Sequence, residues 1–460
     1  MLTYEQALTC LLKSTPSPRM AVVRLTDALG LVLARSIRAG CDLPQFDNSA
    51  VDGYAIHLPA SEARLRSAKT REASGAQHIP HTTNGHAAHV AFHVIGNAEA
   101  GRPFRTLLRQ GEAVRIFTGA QVPRGVDAVV MQEDTKRLGD RLFVERWPKP
   151  GQHIRRRGED LRQGTRILEA GTLLRPQELG LLAAVGVAKV PVYPRPTVAI
   201  LTTGDELASP GTRWKPGQIY ESNGPLLHAL IQQAGARVVD LGTARDAIDA
   251  LIQKIRRGLA GDLLVISGGV SVGEKDVVRK AAQCCGVHQV FWRVNIKPGM
   301  PLFVGQRRRT LVFGLPGNPA SVFVTFEEFV KPALYRLMGR EWRDPYTEPA
   351  VLIENLTISH TRRTHFIRVR CSQHSQLVAE PLDGQGSHRL RSLVEADGWL
   401  RMNAEQGPWS AGARVLVRPA CAASTALPAS SACLPCLPLR GSRQASRGRA
   451  RQATDKPEAA

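Results

Sequence analysis

From Arg195 to Met338, short apolar runs alternate with segments of helical period. The runs predict strands at Thr197–Leu201, Arg237–Leu241, Leu263–Ser267 and Gln289–Val294, with two more around Leu302 and Val312. The periodic segments predict helices at Asn223–Ala234, Asp246–Leu259, Lys275–Cys285 and Pro319–Met338. This alternation argues for a doubly wound, mostly parallel α/β sheet covered on both faces. Upstream, residues 3–40 read as an amphipathic helix, a link and a second helix from Leu25 to Ile37. A turn-rich segment, 42–54, leads into a β- and loop-rich region, 54–146. After Pro345 the strands Ala350–Leu356, His365–Val369, Leu377–Pro381 and Arg414–Val417 follow with no helical period between them, which predicts a small β-barrel or sandwich. Residues 420–460, rich in Ala, Ser, Pro and Arg, are predicted to be disordered.

In an open α/β sheet, ligands collect beyond the carboxyl ends of the strands. Several ionisable clusters fall there. Asp205 and Glu206 follow the first strand, and Arg245 and Asp246 the second. Lys297 follows the fourth, and Pro316, Gly317 and Asn318 the last. After the third strand comes Ser267-Gly-Gly-Val-Ser-Val-Gly-Glu274, which includes Gly268, Gly269, Ser271 and Gly273 and is followed closely by Asp276. Glycine lets backbone N–H groups approach an anion, and a helix N-terminus adds partial positive charge. Each acid alone also reads as a helix cap, Asp246 and Asp276 above all, and so does Asn318. As a set they share a rim with two glycine-rich loops. Mutually repelling carboxylates beside an anionic ligand call for a hard cation, and Mg²⁺ fits, with Lys297 facing the anion. No GxGxxG fingerprint is present.

Composition narrows the partners. The net charge of +21 raises nucleic acid, yet aromatics are only 5% and no basic stretch interleaves with them as base stacking needs. Much of the excess is local, at Arg155–Arg157, Arg307–Arg309 and beyond Arg440; it reads as an Arg-rich surface, and a polyanionic small substrate explains the rest as well as nucleic acid does. The amino terminus lacks a signal peptide's pattern and no apolar run is long enough to cross a bilayer, so a cytoplasmic protein without a membrane partner is expected. The eight cysteines form neither a disulfide framework nor a zinc site, and the one Cys-x-x-Cys pair, Cys433 and Cys436, lies in the tail. His78, His81, His86, His89 and His93 fall in an insertion, 66–98, whose spacings match no closed metal site, so it reads as a surface insertion.

The ordered set Phe46–Ala55, Arg115–Ala120, Val129–Glu133, Arg155–Asp160, Thr203–Leu207, Ser267–Glu274, Ile296–Gly299, Leu315–Pro319 and Gln385–His388 resembles the molybdopterin molybdenumtransferase (MoeA) family, which includes the E domain of gephyrin. The resemblance covers roughly residues 1–419. It implies an elongated, discontinuous N-terminal domain (1–45 and 147–180), a β-rich inserted domain (46–146), an α/β domain (181–338) and a C-terminal β-barrel (339–419). It further implies a homodimer with a composite site, other cofactor-biosynthesis proteins as partners, and insertion of molybdenum from molybdate into adenylylated molybdopterin with Mg²⁺ and release of AMP. Asp52, Thr118 and Asp160 match family site positions outside the α/β domain. Glu206, Asp246 and Asp276 match metal and pyrophosphate positions. Lys297, Arg368 and Ser387 match the molybdate pocket, and a tetrahedral dianion suits a lysine, an arginine fork and a hydroxyl. Met300 and Arg293 stand where relatives carry lysine, the 66–98 insertion is long, and the tail matches nothing in the family. A molybdopterin adenylyltransferase and a non-catalytic pterin-binding scaffold are the alternatives. The site positions outside the α/β domain argue against the first and the acidic rim against the second.

Overall fold

A computed structural model describes residues 1–58, 91–270, 277–358, 362–373, 375–403 and 409–420. The expectations for insertion residues 66–90, for the Cys433–Cys436 pair and for the tail from 421 lie outside the described residues, as does the start of the helix expected from Lys275.

Helix α1 (Tyr4–Ser14) opens on a reciprocal cap: the Thr3 side chain accepts from Gln6 N–H and the Gln6 side chain returns to Thr3 N–H. Its buried residues, Tyr4, Ala7 and Leu11, repeat at helical spacing and join the core of the α/β sheet. The helix expected over Leu25–Ile37 does not form. One 3₁₀ turn (Leu25–Asp27) is followed by strands β2 (Val32–Leu33) and β3 (Ile37–Arg38), after β1 (Ala21–Arg24). Gly30 takes a left-handed φ of 75°, which stops a helix, and the apolar residues beyond it find strand partners instead.

Those partners come from far along the chain. Strands β4 (Asn48–Ser49) and β5 (Gly53–Ile56) precede β6 (Ala91–Ala98), β7 (Glu112–Ile116), β8 (Ala128–Met131), β9 (Thr135–Leu138) and β10 (Arg141–Val144). Then come β11 (Ile154–Arg155), β12 (Arg166–Leu168), helix α2 (Pro176–Ala184) and β13 (Lys189–Tyr193). β13 pairs with β1 and β2, β12 with β3, and β11 with β4. The β-rich segment is one six-stranded sheet in the order β8-β5-β7-β6-β10-β9. Arg156 and Arg157 pair with Asp47 (2.7 Å) and Asp42 (2.5 Å), so part of the basic run is spent on surface ion pairs within the chain.

The α/β domain follows the predicted alternation: β14 (Thr197–Thr203), the small ribbon β15 (Leu207–Ala208) and β16 (Ile219–Tyr220), α3 (Asn223–Gln233), β17 (Arg237–Ala244), α4 (Ile248–Gly258), β18 (Leu263–Ser267), α5 (Val277–Cys284), β19 (His288–Trp292), β20 (Ile296–Lys297), β21 (Phe303–Arg307) and β22 (Thr310–Leu315). The sheet order is β17-β14-β18-β22-β21-β19. The first four strands are parallel; β21 runs antiparallel to β22, and β19, antiparallel to β21, points the same way as the first four. Side chains alternate between two cores. Val198, Ile200, Leu263 and Val265 face one, and Ala199, Leu201, Leu264 and Ile266 the other.

The helix predicted at Pro319–Met338 is helical to Leu337, as α6 (Pro319–Thr325), a π-turn (Phe326–Val330) and α7 (Lys331–Leu337). Pro332 supplies the reason: it lacks an N–H and its ring crowds the carbonyl four residues back, so the helix widens there. Beyond it, β23 (Glu348–Leu352), β24 (Thr364–Gln373), β25 (Leu377–Pro381), β26 (Gly398–Met402) and β27 (Arg414–Pro419) form the order β24-β25-β23-β27-β26, closed into a barrel by β24–β26 pairing. Strand β26 and the short helix α8 (Arg391–Glu395) were not expected from the sequence.

Gly258 sets helix α4 against β18. A Cβ there would lie 2.6 Å from Leu264 Cδ1 and 3.1 Å from Leu241 Cδ1, both on buried side chains. Gly258→Ala gains at most about 1 kcal/mol of helix propensity and loses about 1–3 kcal/mol to overpacking, so a lower urea midpoint is expected; a raised midpoint would show that the two layers are not tightly seated.

Candidate active site

The loops at the carboxyl ends of β14, β17, β18 and β22 adjoin one another, whereas Lys297, expected on the same rim, lies on β20 in the barrel sheet. Thr203 Oγ1 donates to Asp246 Oδ1 at 2.6 Å, and Asp246 N–H points at Asp205 Oδ1, 3.4 Å away. The Glu206 carboxylate folds back over Gly204, reaching within 2.7 Å of where a Cβ would stand. Gly268 is left-handed (φ 94°), and a Cβ on it would fall 2.2 Å from Thr203 O, so no side chain is tolerated there. Gly269 is similarly left-handed at φ 62°. Asn223 fastens two of the loops: its Nδ2 donates to Ser267 Oγ (3.0 Å) and to Gly317 O (2.7 Å). Its Oδ1 is buried with no partner among the described residues. Ser271, Gly273, Glu274 and Asp276 lie outside the described residues.

One step along, the Pro316-Gly317-Asn318 loop meets the barrel. Asn318 Nδ2 donates to Ser387 Oγ (2.8 Å), and Ala320 N–H to Ser387 O (3.0 Å). β20 runs alongside β24, placing Lys297 opposite His365 with the lysine exposed. Arg368, three residues further on β24, is 1% exposed. Its Nε donates to Gln385 Oε1 (3.3 Å) and its Nη2 to Gly386 O (3.3 Å), while Nη1 is buried with no partner among the described residues. Burial first, and the Arg389 guanidinium second, lower the Arg368 pKa. Two neighbouring guanidiniums and an unpartnered N–H favour an anion at this place.

Asp52, Thr118 and Asp160 sit elsewhere. Asp52 Oδ1 accepts from Thr118 N–H (2.7 Å) and Thr118 Oγ1 (2.8 Å). Those two bonds, with Arg115 nearby, hold its carboxyl below the ordinary range. Arg115 lies 4.9 Å from the Tyr54 ring and 5.3 Å from that of Phe117, and Asp160 is exposed. The described hydrogen bonds of the Asp52–Thr118 pair stay within the β-rich domain.

Residues 2–186 match the model of the MoeA N-terminal region (domain I and II), 199–336 that of a probable molybdopterin binding domain, and 353–420 that of the MoeA C-terminal region (domain IV). A curated molybdopterin molybdenumtransferase of Haemophilus influenzae is 34% identical over 430 residues, covering 91% of this chain and 98% of that protein. Molybdopterin molybdenumtransferase 2 of Mycobacterium tuberculosis is 39% identical over 409 residues, covering 87% and 95%. The chain belongs to the molybdopterin molybdenumtransferase family. Among solved structures, two of molybdopterin biosynthesis MoeA protein from Pyrococcus horikoshii superpose with TM-scores of 0.73 and 0.66, each at 30% identity and covering 91% of this chain and 99% of that one. Family membership places the chain among the transferases of molybdenum cofactor biosynthesis. No helix among the described residues is long and apolar enough to cross a membrane.

The rim also bears on the expected Mg²⁺. Among the described residues no three acids, histidines or cysteines gather into a ready metal cage. Asp205 and Asp246 adjoin, Glu206 arches over a glycine that leaves room for it, and Asp276 lies outside the described residues. Carboxylates offered one or two at a time suit Mg²⁺, which keeps several waters and shares phosphate oxygens. Met300, where the resemblance implies lysine, contributes its backbone O to Val294 N–H (3.0 Å). Arg293, at another such position, is left-handed (φ 64°) and lies over the Trp292 ring at 4.0 Å.

Sequence reasoning missed Asn223 and Gln385. Asn223 looks like an ordinary residue at a helix start; its signal was the Ser-Asn-Gly turn placed at a strand-end rim. Gln385 brackets Arg368, accepting from its N–H (3.1 Å) and donating to its O (2.8 Å). It heads the Gln-Gly-Ser-His stretch that carries Ser387.

Because Asp52 has a lowered pKa, any stability its pair with Thr118 confers is present above the ordinary carboxylate pKa and lost as pH falls through the lowered folded value. Thr118→Val deletes one of the two donors, so the Asp52 carboxyl should titrate at higher pH in an NMR titration. An unchanged midpoint would contradict the assigned hydrogen bond.

Proposed function

We propose that the protein transfers molybdenum from molybdate to adenylylated molybdopterin and releases AMP, and that it does so with Mg²⁺ as a homodimer. The observation that carries this reading is the unpartnered Nη1 of buried Arg368, set beside Ser387 and Asn318 at the seam with the strand-end rim. A tetrahedral dianion accepts from Arg368, Ser387 and Lys297, while the pyrophosphate lies along Ser267, Gly268 and Gly269 and the start of α6.

Glu206, Asp246 and Asp276 would hold Mg²⁺, which supplies charge neutralisation for the pyrophosphate when bound. Thr203 orients Asp246 through its hydroxyl. Asn223 keeps the Ser267 and Gly317 loops at a fixed separation, so the anhydride and the oxyanion are presented in one geometry. The anhydride P–O bond breaks as a molybdate or water oxygen attacks phosphorus, AMP leaves with that oxygen, and the freed terminal phosphate stays on the pterin. The dithiolene sulfurs of the substrate then take the molybdenum: where molybdate's own oxygen has left with AMP they fill the place it vacates, and where water attacked, molybdate releases one oxygen as water, which takes up the two thiol protons. Asp52, Thr118 and Asp160 complete the site from a second copy, consistent with a pair whose bonds stay in its own domain.

Purified protein given adenylylated molybdopterin, molybdate and Mg²⁺ should release AMP in step with molybdenum incorporation. AMP release that ignores molybdate, or none at all, would overturn the reading. Asp276→Ala should lose turnover with its circular dichroism unchanged; near-normal turnover would remove the acidic rim from the mechanism. Co-refolded Asp52→Asn and Arg368→Ala chains, each inactive alone, should regain activity in mixed dimers, and no recovery would place both residues in a site within one chain.

A further inference from the structure

The seam between the barrel and the α/β domain holds a charged cluster that this chemistry does not use. At its centre, consecutive Glu327 and Glu328 on the π-turn are 4% and 1% exposed. Arg418 of β27 reaches both, Nη2 to Glu327 and Nη1 to Glu328 (3.2 Å). Glu328 also accepts from Tyr4 Oη (2.8 Å) and Tyr346 Oη (3.0 Å), and Lys331 Nζ meets Glu327 at 2.8 Å. Arg401 of β26 pairs with Asp344 and lies 5.4 Å and 4.6 Å from the Tyr4 and Tyr346 rings. Burial opposes the charge on Arg418, but Glu327 and Glu328 more than offset it and its pKa is raised. The members come from α1, the long helix, the link into the barrel and two barrel strands.

Bare stability does not account for such a cluster. Desolvation consumes most of what buried ion pairing returns, and apolar replacements are often neutral or stabilising. The best-attested use of buried charge pairs is to fix register or position. The strand register shows what is positioned. Arg368 stands directly opposite Trp399, and Trp399 directly opposite Arg418. Directly opposed residues project from the same face, so the three form one row across β24, β26 and β27. At about 4.8 Å per strand, Arg418 is about 10 Å from Arg368. Trp399 lies between them, stacked on Phe323 (5.2 Å, 13°) with the Arg368 guanidinium 6.0 Å from its ring.

We propose that Glu327, Glu328 and Arg418 are positioning residues for the anion pocket: by locking the barrel onto the long helix they hold Arg368 in place beside Ser387. The proposal rests on reading that pocket as the molybdate site.

Arg418→Met alone strands two buried carboxylates and is expected to fold poorly. The test is therefore the full chain carrying Glu327→Gln, Glu328→Gln and Arg418→Met together, beside Arg418→Lys. The triple variant should melt within about 5 °C of the parent. Its KM for molybdate should rise about tenfold, while its KM for adenylylated molybdopterin changes less than about twofold. Arg418→Lys, which keeps the charge, should recover part of the molybdate KM. Hydrogen exchange without substrate should quicken over 364–369 and 385–389 and stay unchanged over 263–267. A folded triple variant with the parent's molybdate KM overturns the proposal. So does a variant in which both KM values and the melting temperature worsen together, because that is a structural role only. If the parent itself transfers no molybdenum, the proposed reaction fails and the exchange result decides: local loss of protection around Arg368 supports positioning, and unchanged protection overturns it.

Discussion

The site depends on one face of one helix. Ala320, Phe323 and Glu327, spaced to share a face of the helix from Pro319 to Leu337, each touch the barrel: the backbone of Ser387, the ring of Trp399 and the guanidinium of Arg418. The amino end of that helix lies on the strand-end rim through the Gly317 loop, which Asn223 ties to Ser267. That helix therefore contacts both the oxygen-rich rim and the side of the barrel that bears Arg368.

The centre of the α/β sheet was legible because its inner strands β14, β18 and β22 are buried on both faces. Leu263–Ser267 is a continuous apolar run with turn signals at both ends, and the structure places a strand there with the same bounds. Leu377–Pro381, a short apolar run ending in proline, was also read with the bounds the structure gives. The stretch from Leu25 to Ile37 was not, because its apolar spacing fits a helix as well as short strands. What decides it is pairing with β12 and β13, segments far along the chain that periodicity cannot see. The same holds for β26, whose Trp399 takes its meaning from Arg368 and Arg418 on the neighbouring strands.

Of the site, the rim could be reasoned from strand ends, since topology alone gathers Asp205, Asp246 and Ser267. Arg368 and Ser387 could not. A strand arginine and a loop serine carry no local mark, and only resemblance to a family singled them out. Burial is what distinguishes Arg368, and burial is a property of the folded barrel. Glu327 and Glu328 were equally silent, since adjacent acids in a helical segment read as a solvated face until a π-turn turns both toward Arg418. The net charge of +21 is likewise less informative than its pairing: Arg156, Arg157, Arg175 and Arg418 are all engaged by carboxylates, whereas Arg368 is not among those ion pairs.

The central claim is that the molybdate pocket lies at the seam between barrel and α/β sheet. Crystals soaked in molybdate, with anomalous diffraction recorded across the molybdenum edge, test it most directly. The account predicts a peak within bonding reach of Arg368 Nη1, Ser387 Oγ and Lys297 Nζ. A peak confined to the surface arginines at 307–309, or to the Asp52–Thr118 pair, with none at the seam, would contradict it.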